Sequence, residues 1–355
     1  MDPASERTIQ TPTFLTDLGL RKFTDASDFY ELSITSNKHL QDIYKNRPPH
    51  PTVDKKIFGD EFIADTLDAL VLLWGDYESA SNIAVSLKDY LKDESRSYKL
   101  LTYAAGLISE KNSKYSEVLY ERAYTFTSSA ANKMVAKLRR CALVLKKERD
   151  PGRALLMLEE LENWIYVQRG FSEINESDMD TMTAMTLNLK SLAQIRCNDI
   201  NAAWETIARA RSLVKVEDLS AMGRSEALRY RTQITGNAAR LAWLMGKESA
   251  AASLWEENYK QAKYEDNYSI SETTFGLAYG SYLMGDYSRS QNLAEKAQIL
   301  IANEASPNRL RLARKVLAGA RAKLGDEAGA SEVLYKMNSD KLGINILSRP
   351  SENAA

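Results

Sequence analysis

From Phe58 onward, apolar residues return at every third or fourth position, and no segment sustains the strict alternation of a half-buried strand. That period predicts amphipathic helices separated by polar breaks. The breaks predict turns near Gly75, Asn112, Arg149, Asn198, Gly246, Gly285 and Gly325, at intervals of 37, 37, 49, 48, 39 and 40 residues. A helix, a short turn and a second helix form a unit that cannot bury its apolar face alone. Such units stack on one another. The expected fold is therefore all-α, a right-handed solenoid of about six or seven antiparallel helical hairpins.

A short phrase marks the turns. Gly75-Asp76-Tyr77 leads to Ala80, Gly285-Asp286-Tyr287 to Ser290, and Gly325-Asp326 to Ala330. A glycine after the first helix can take the left-handed conformation that ends it. A small residue five positions later lets the second helix approach the first closely. The prolines agree with this reading. Between Pro51 and Pro307 only Pro151 interrupts the chain, and both Asp150-Pro151 and Ser306-Pro307 place a capping oxygen before a proline at a first helical position.

The texture divides the chain into an N-terminal arm (residues 1–55), a repeat region (56–340) and a tail (341–355). The arm is polar and carries Pro48-Pro49-His50-Pro51, with a short amphipathic helix expected from Asp25 to Tyr44. The tail, with Gly343 and Pro350, is expected to be frayed or extended.

Over roughly residues 58–340 these features resemble the tetratricopeptide repeat family. Residues 271–300 carry Leu277-Ala278, the Gly285-Asp286-Tyr287 turn, then Ser290, Ala294 and Ala297. Residues 310–337 carry Leu317-Ala318, Gly325-Asp326, Ala330 and Leu334, and looser copies occupy 135–161, 184–213 and 231–258. The proline that closes a standard repeat is mostly missing. The resemblance implies a non-catalytic interaction protein. Some members also clamp a C-terminal carboxylate with Lys and Asn; here Arg139 and Arg140 approximate the basic part, while Leu143 stands where the family has Asn.

Composition narrows the setting. Lys plus Arg (47) nearly balances Asp plus Glu (48), so net charge carries no nucleic-acid signature, and mean hydropathy is -0.40. No apolar run nears the ~20 residues that span a bilayer, and the opening Met1-Asp2-Pro3 lacks a basic, then apolar, leader pattern. Cys141 and Cys197 fall in helical patterns and suit a reducing compartment. The expected location is the cytoplasm, or the nucleus.

Catalysis has little to stand on. The two histidines, His39 and His50, lie in the arm, and neither Cys-x-x-Cys, His-x-x-x-His nor a phosphate-cradling Gly-rich loop occurs. Glu159-Glu160 and Glu256-Glu257 suit solvated helix faces. No cofactor or metal is expected.

Binding is better served. In stacked hairpins the first helices line a concave face. Phe275, Tyr279 and Tyr282 share one helix face before Gly285, and Asn237, Arg240 and Trp243 hold comparable places one hairpin earlier. Together they offer the aromatic, guanidinium and amide groups enriched at interaction hot spots. A second candidate is the basic patch of Lys137, Arg139, Arg140, Lys146 and Lys147; a further basic run, Arg309, Arg311, Arg314 and Lys315, lies downstream. Neither has the interleaved aromatics that base stacking needs. The sequence thus points to a protein or peptide partner held by an adaptor or scaffold, the alternative being a sensor that closes on a short signalling peptide. A membrane or nucleic acid is not the expected partner. Pairing with a second copy, or membership of a larger complex, would run through the end repeat, at Leu334 and Leu342.

Overall fold

The computed structural model describes residues 59–60, 63–64, 67, 77–109, 111–170, 174, 176–214, 221–262, 267–302 and 307–347. The expected helix at Asp25–Tyr44, the turn at Gly75 and the cap at Ser306 lie outside the described residues. Thirteen α-helices occur among the described residues. They are α1 (Tyr77–Ser86), α2 (Tyr98–Ile108), α3 (Ser113–Phe126), α4 (Ala130–Leu143), α5 (Pro151–Gln168), α6 (Glu176–Arg196) and α7 (Ile200–Leu213). There follow α8 (Ala221–Leu244), α9 (Glu248–Ala262), α10 (Asn267–Leu283), α11 (Tyr287–Ala302), α12 (Pro307–Lys323) and α13 (Glu327–Leu347). A π-turn, Val144–Glu148, extends α4. Short turns join α2 to α3, α4 to α5, α6 to α7, α8 to α9, α10 to α11 and α12 to α13.

The turns fall where the sequence places them, and the backbone gives the reason. Arg149 (φ 57°), Asn198 (64°), Gly246 (70°), Gly285 (82°) and Gly325 (85°) are all left-handed. At the last four of these, the N–H of the following residue reaches back to a carbonyl five residues earlier: Asp199 to Gln194, Lys247 to Ala242, Asp286 to Ser281 and Asp326 to Arg321, at 2.9–3.0 Å. The aspartate of the phrase then caps the next helix. Asp150, Asp199, Asp286 and Asp326 accept from the N–H three residues on, at 2.9, 3.2, 3.1 and 2.9 Å. Asn112 works by capping alone, accepting from the Tyr115 N–H at 3.0 Å with a negative φ of -151°.

Five residues after each left-handed position stands a small buried residue: Ala154, Ala203, Ala251, Ser290 and Ala330. Ser290 also donates its hydroxyl to the Ala278 carbonyl at 2.9 Å, tying α11 to α10. The α4–α5 turn departs from the others. Its π-turn inserts a residue, and the Asp150 N–H reaches six positions back, to Val144.

The chain forms two compact units: of the described residues, the first holds those up to Asn237 and the second those from Ala238. In the first, each helix from α1 to α7 packs on its neighbours in sequence, and α4 also touches α6. Its main core gathers Leu138, Cys141, Val144, Leu158, Leu161, Ile165, Met182 and Met185 around α4, α5 and α6. In the second, α9 to α13 pack in sequence and α10 touches α12; Phe275, Ala278, Ala294, Ala297, Ile301, Val316 and Leu317 form the core. Each unit is thus built of successive helical hairpins.

Two helices, α6 and α10, are buried around most of their circumference although they are rich in Ser and Thr. Their hydroxyls turn back onto their own helix. Thr183 donates to the Met179 carbonyl (2.7 Å), Thr186 to Met182 (3.0 Å), Thr273 to Ser269 (2.8 Å) and Thr274 to Ile270 (2.6 Å). The polar atom is satisfied locally and the methyl faces the neighbours. At the C-terminal end, α13 runs on through Gly343 to Leu347. Over 341–347 the tail expected to be frayed or extended is helical, a helical glycine costing only about 1 kcal/mol.

Candidate functional site

The structure sorts the six candidate groove residues by depth. Phe275 is a core residue, packed with Ala278, Ala294 and Ile301. Its helix is covered on more sides than a simple amphipathic pattern suggests. Tyr279 and Tyr282 are half-buried and pack against that same cluster, so the structure does bring these three aromatics together. Tyr282 is the more constrained. Its ring meets Tyr287 edge-on, with centroids 5.6 Å apart, and rests against the backbone of α12 at Gly319, where an added β-carbon would lie 3.0 Å from the ring. The resulting surface has rings backed by core and a partly exposed outer rim.

Arg240 and Trp243 are half-buried on the last turns of α8, in the same unit as the tyrosines. Asn237 belongs to the first unit. Its side-chain amide is already engaged, donating from Nδ2 to Asn188 Oδ1 at 2.8 Å and thereby linking α8 to α6. Asn188 had no signal in sequence, since 49 residues separate the two amides.

The basic patch comes apart. Arg140 binds Glu117 at 2.9 Å and Glu121 as well, and Glu117 also receives Arg153. Lys137 lies 4.8 Å from the Tyr124 ring centroid and 5.9 Å from that of Trp164, with its charge over aromatic faces. Arg139 is half-buried with a partner of its own, and Leu143 is buried. Lys146 and Lys147 stand apart from these, in the π-turn. Of the downstream run, Arg309 binds Ser271 (2.9 Å) and Glu272 (3.1 Å) and Arg314 donates to Gln298 (3.2 Å), while Arg311 and Lys315 are exposed.

Two carboxylates act as hubs that the sequence did not flag. Burial, the largest single influence on Glu117, pushes its pKa up, but the hydrogen bonds from Arg140 and Arg153 together hold it below the usual range. Glu162 on α5 is balanced in the same way. It is bound by Lys190 (3.0 Å) and Arg209 (2.7 Å), and these outweigh its burial. Each hub fastens helices of neighbouring hairpins.

Cys141 is buried, and desolvation pushes its thiol up to about 12; Cys197 is exposed. Among the described residues no group of three or more His, Cys, Asp or Glu could hold a metal ion, and no helix is long and apolar enough to cross a membrane. At the end repeat Leu334 is exposed, whereas the Leu342 side chain lies outside what the structure describes.

No protein-family model matches the chain, and no curated protein matches it. Among solved structures, the crystal structure of BtubC (BKLC) from P. vanneervenii is similar, with 17% identity and a TM-score of 0.47 over 76% of this chain and 96% of BtubC. At that distance the likeness says nothing of partner or activity.

Proposed function

We propose that this chain is a non-catalytic interaction protein of tetratricopeptide type, a right-handed array that holds a peptide segment of a partner protein in the cytoplasm. The observation that supports it best is the pair Tyr279 and Tyr282. Both rings are anchored against the core of the second unit, yet both keep part of their surface in solvent. A tyrosine held in this way loses little side-chain entropy on binding and offers an apolar face with a polar tip. Arg240 and Trp243 would extend the same surface.

The test is affinity recovery of the tagged protein from its native lysate beside a Tyr279→Ala/Tyr282→Ala/Arg240→Ala variant whose circular dichroism matches the parent. A stoichiometric partner recovered by the parent and lost by the variant supports the reading. The same partner on both sinks the tyrosine surface. Compaction in small-angle scattering on adding a short peptide, with no stoichiometric protein partner, would instead favour a peptide sensor.

A further inference from the structure

Two helices carry exposed faces of opposite charge. On α5, Leu156, Glu159, Asn163 and Tyr166 follow one another at intervals of three, four and three residues, so they share one face, with Glu160 and Val167 beside them. Leu156 is 64% exposed, Tyr166 78% and Val167 53%; no other helix among the described residues bares three large apolar side chains. No Lys or Arg falls on this face. Glu159 reaches Lys190 only at 3.9 Å, and Glu160 meets no cation among the described residues.

On α12, Leu312, Lys315, Gly319 and Ala322 repeat the same intervals, with Arg311 and Lys323 beside them. This helix carries six cations and no carboxylate. Neighbouring helices engage three of the six: Arg309 binds Glu272, Arg314 donates to Gln298 and Arg321 binds Glu295. Arg311, Lys315 and Lys323 are exposed and meet no carboxylate among the described residues. Arg311 and Lys315 stand one turn apart and repel each other, so a carboxylate arriving from outside is favoured there.

We propose that α5 of one copy of this chain packs on α12 of a second copy. Charge and spacing together select that occupant. The two ladders agree in length and interval, which is the condition for two helices to interleave along one seam. Their charges are opposite, with Glu159 and Glu160 on one and Arg311, Lys315 and Lys323 on the other. Run in either direction, the ladders set the small Gly319 and Ala322 opposite longer side chains of α5, and Leu312 opposite Leu156 or Tyr166. Every copy carries one face of each kind, so the contact is head-to-tail and continues from the second copy to a third. The inference does not rest on the tyrosine surface, and the substitutions that test it leave Tyr279 and Tyr282 in place.

The experiment is sedimentation velocity of the full chain over a concentration series, at low and at high salt. The mean mass should rise with concentration, and less steeply at high salt. Glu159→Lys/Glu160→Lys and Arg311→Glu/Lys315→Glu, each with circular dichroism matching the parent, should each weaken association about tenfold or more. Both reversals combined in one chain should restore it, because the charges are again opposite. Leu334→Glu, on the end helix α13, should change nothing. The proposal fails if the parent stays a monomer throughout the series, or if either reversal leaves association intact. It also fails if the folded combined variant remains a monomer, or if Leu334→Glu abolishes association.

Discussion

The indole of Trp255 occupies the space in which a β-carbon on Gly280 would stand, so α9 and α10 touch through a slot that only glycine leaves open. Trp255 is 1% exposed and its ring edge also runs past Gly276, whose added β-carbon would meet Cδ1 at an ordinary 3.8 Å. Two glycines one turn apart on the same helix should therefore answer oppositely to the same change. Gly280→Ala should lower stability by about 1–3 kcal/mol through overpacking. Gly276→Ala should raise it by roughly 0.4–1 kcal/mol, because alanine restricts the unfolded chain. Paired urea titrations decide this; equal effects at both sites would remove the slot from the account.

The left-handed turn residues differ in chemistry while sharing a conformation. Arg149 holds φ at 57° although a β-branch-free side chain there still strains against its own carbonyl. Arg149→Gly should stabilise the protein by about 0.5–1 kcal/mol, and Gly325→Ala, at φ 85°, should destabilise it by about 1–2 kcal/mol. Denaturation midpoints of the two variants should move in opposite directions.

Glu117 should make folding acid-sensitive. Its pKa is lower in the folded protein than the ~4.3 of an unfolded chain, so its contribution is complete above that value and is lost as pH falls through the folded one. Glu117→Gln should cost about 1.5–3 kcal/mol at pH 7, where Arg140 and Arg153 lose an ionised acceptor. The gap to the parent should narrow as pH falls below the ordinary carboxylate range, where the parent's carboxylate is itself becoming protonated. A gap that stays constant over that range would show that packing at this site dominates charge.

The two cysteines should react at very different rates. Cys197 is exposed and should be alkylated in the native protein within minutes of mixing. Cys141, buried and with its thiol pushed up to about 12, should stay unmodified until the chain is unfolded. Mass spectrometry of native and urea-treated samples separates the outcomes. Double labelling under native conditions would mean that α4 opens far more readily than its packing allows.

The turns were legible because their chemistry is local. A glycine or asparagine to end one helix, an aspartate to start the next and a small residue five places on can all be read within six positions, and five of the six expected turns among the described residues carry a left-handed residue. The side-chain fates were not legible in the same way. Phe275 looks like one of three residues on an open face until α11 and α12 cover it. Asn237 is taken up by Asn188, and Arg140 by Glu117, through separations that no periodicity reveals. Serines and threonines disguised α6 and α10 as less buried than they are, since hydroxyls that bond backward along their own helix behave outwardly as small apolar groups.

The five-residue interval between each left-handed turn and its small buried residue works as a fixed gauge. Removing one residue from it would rotate Ser290 or Ala330 by about 100° around its helix and turn a bulkier neighbour toward the partner helix. No such gauge governs the far ends of the helices, which among the described residues range from the 10 residues of α1 to the 24 of α8. Drift in length is therefore tolerated outside the gauge and refused within it. This accounts for turns that keep the same internal grammar while standing 37 to 49 residues apart.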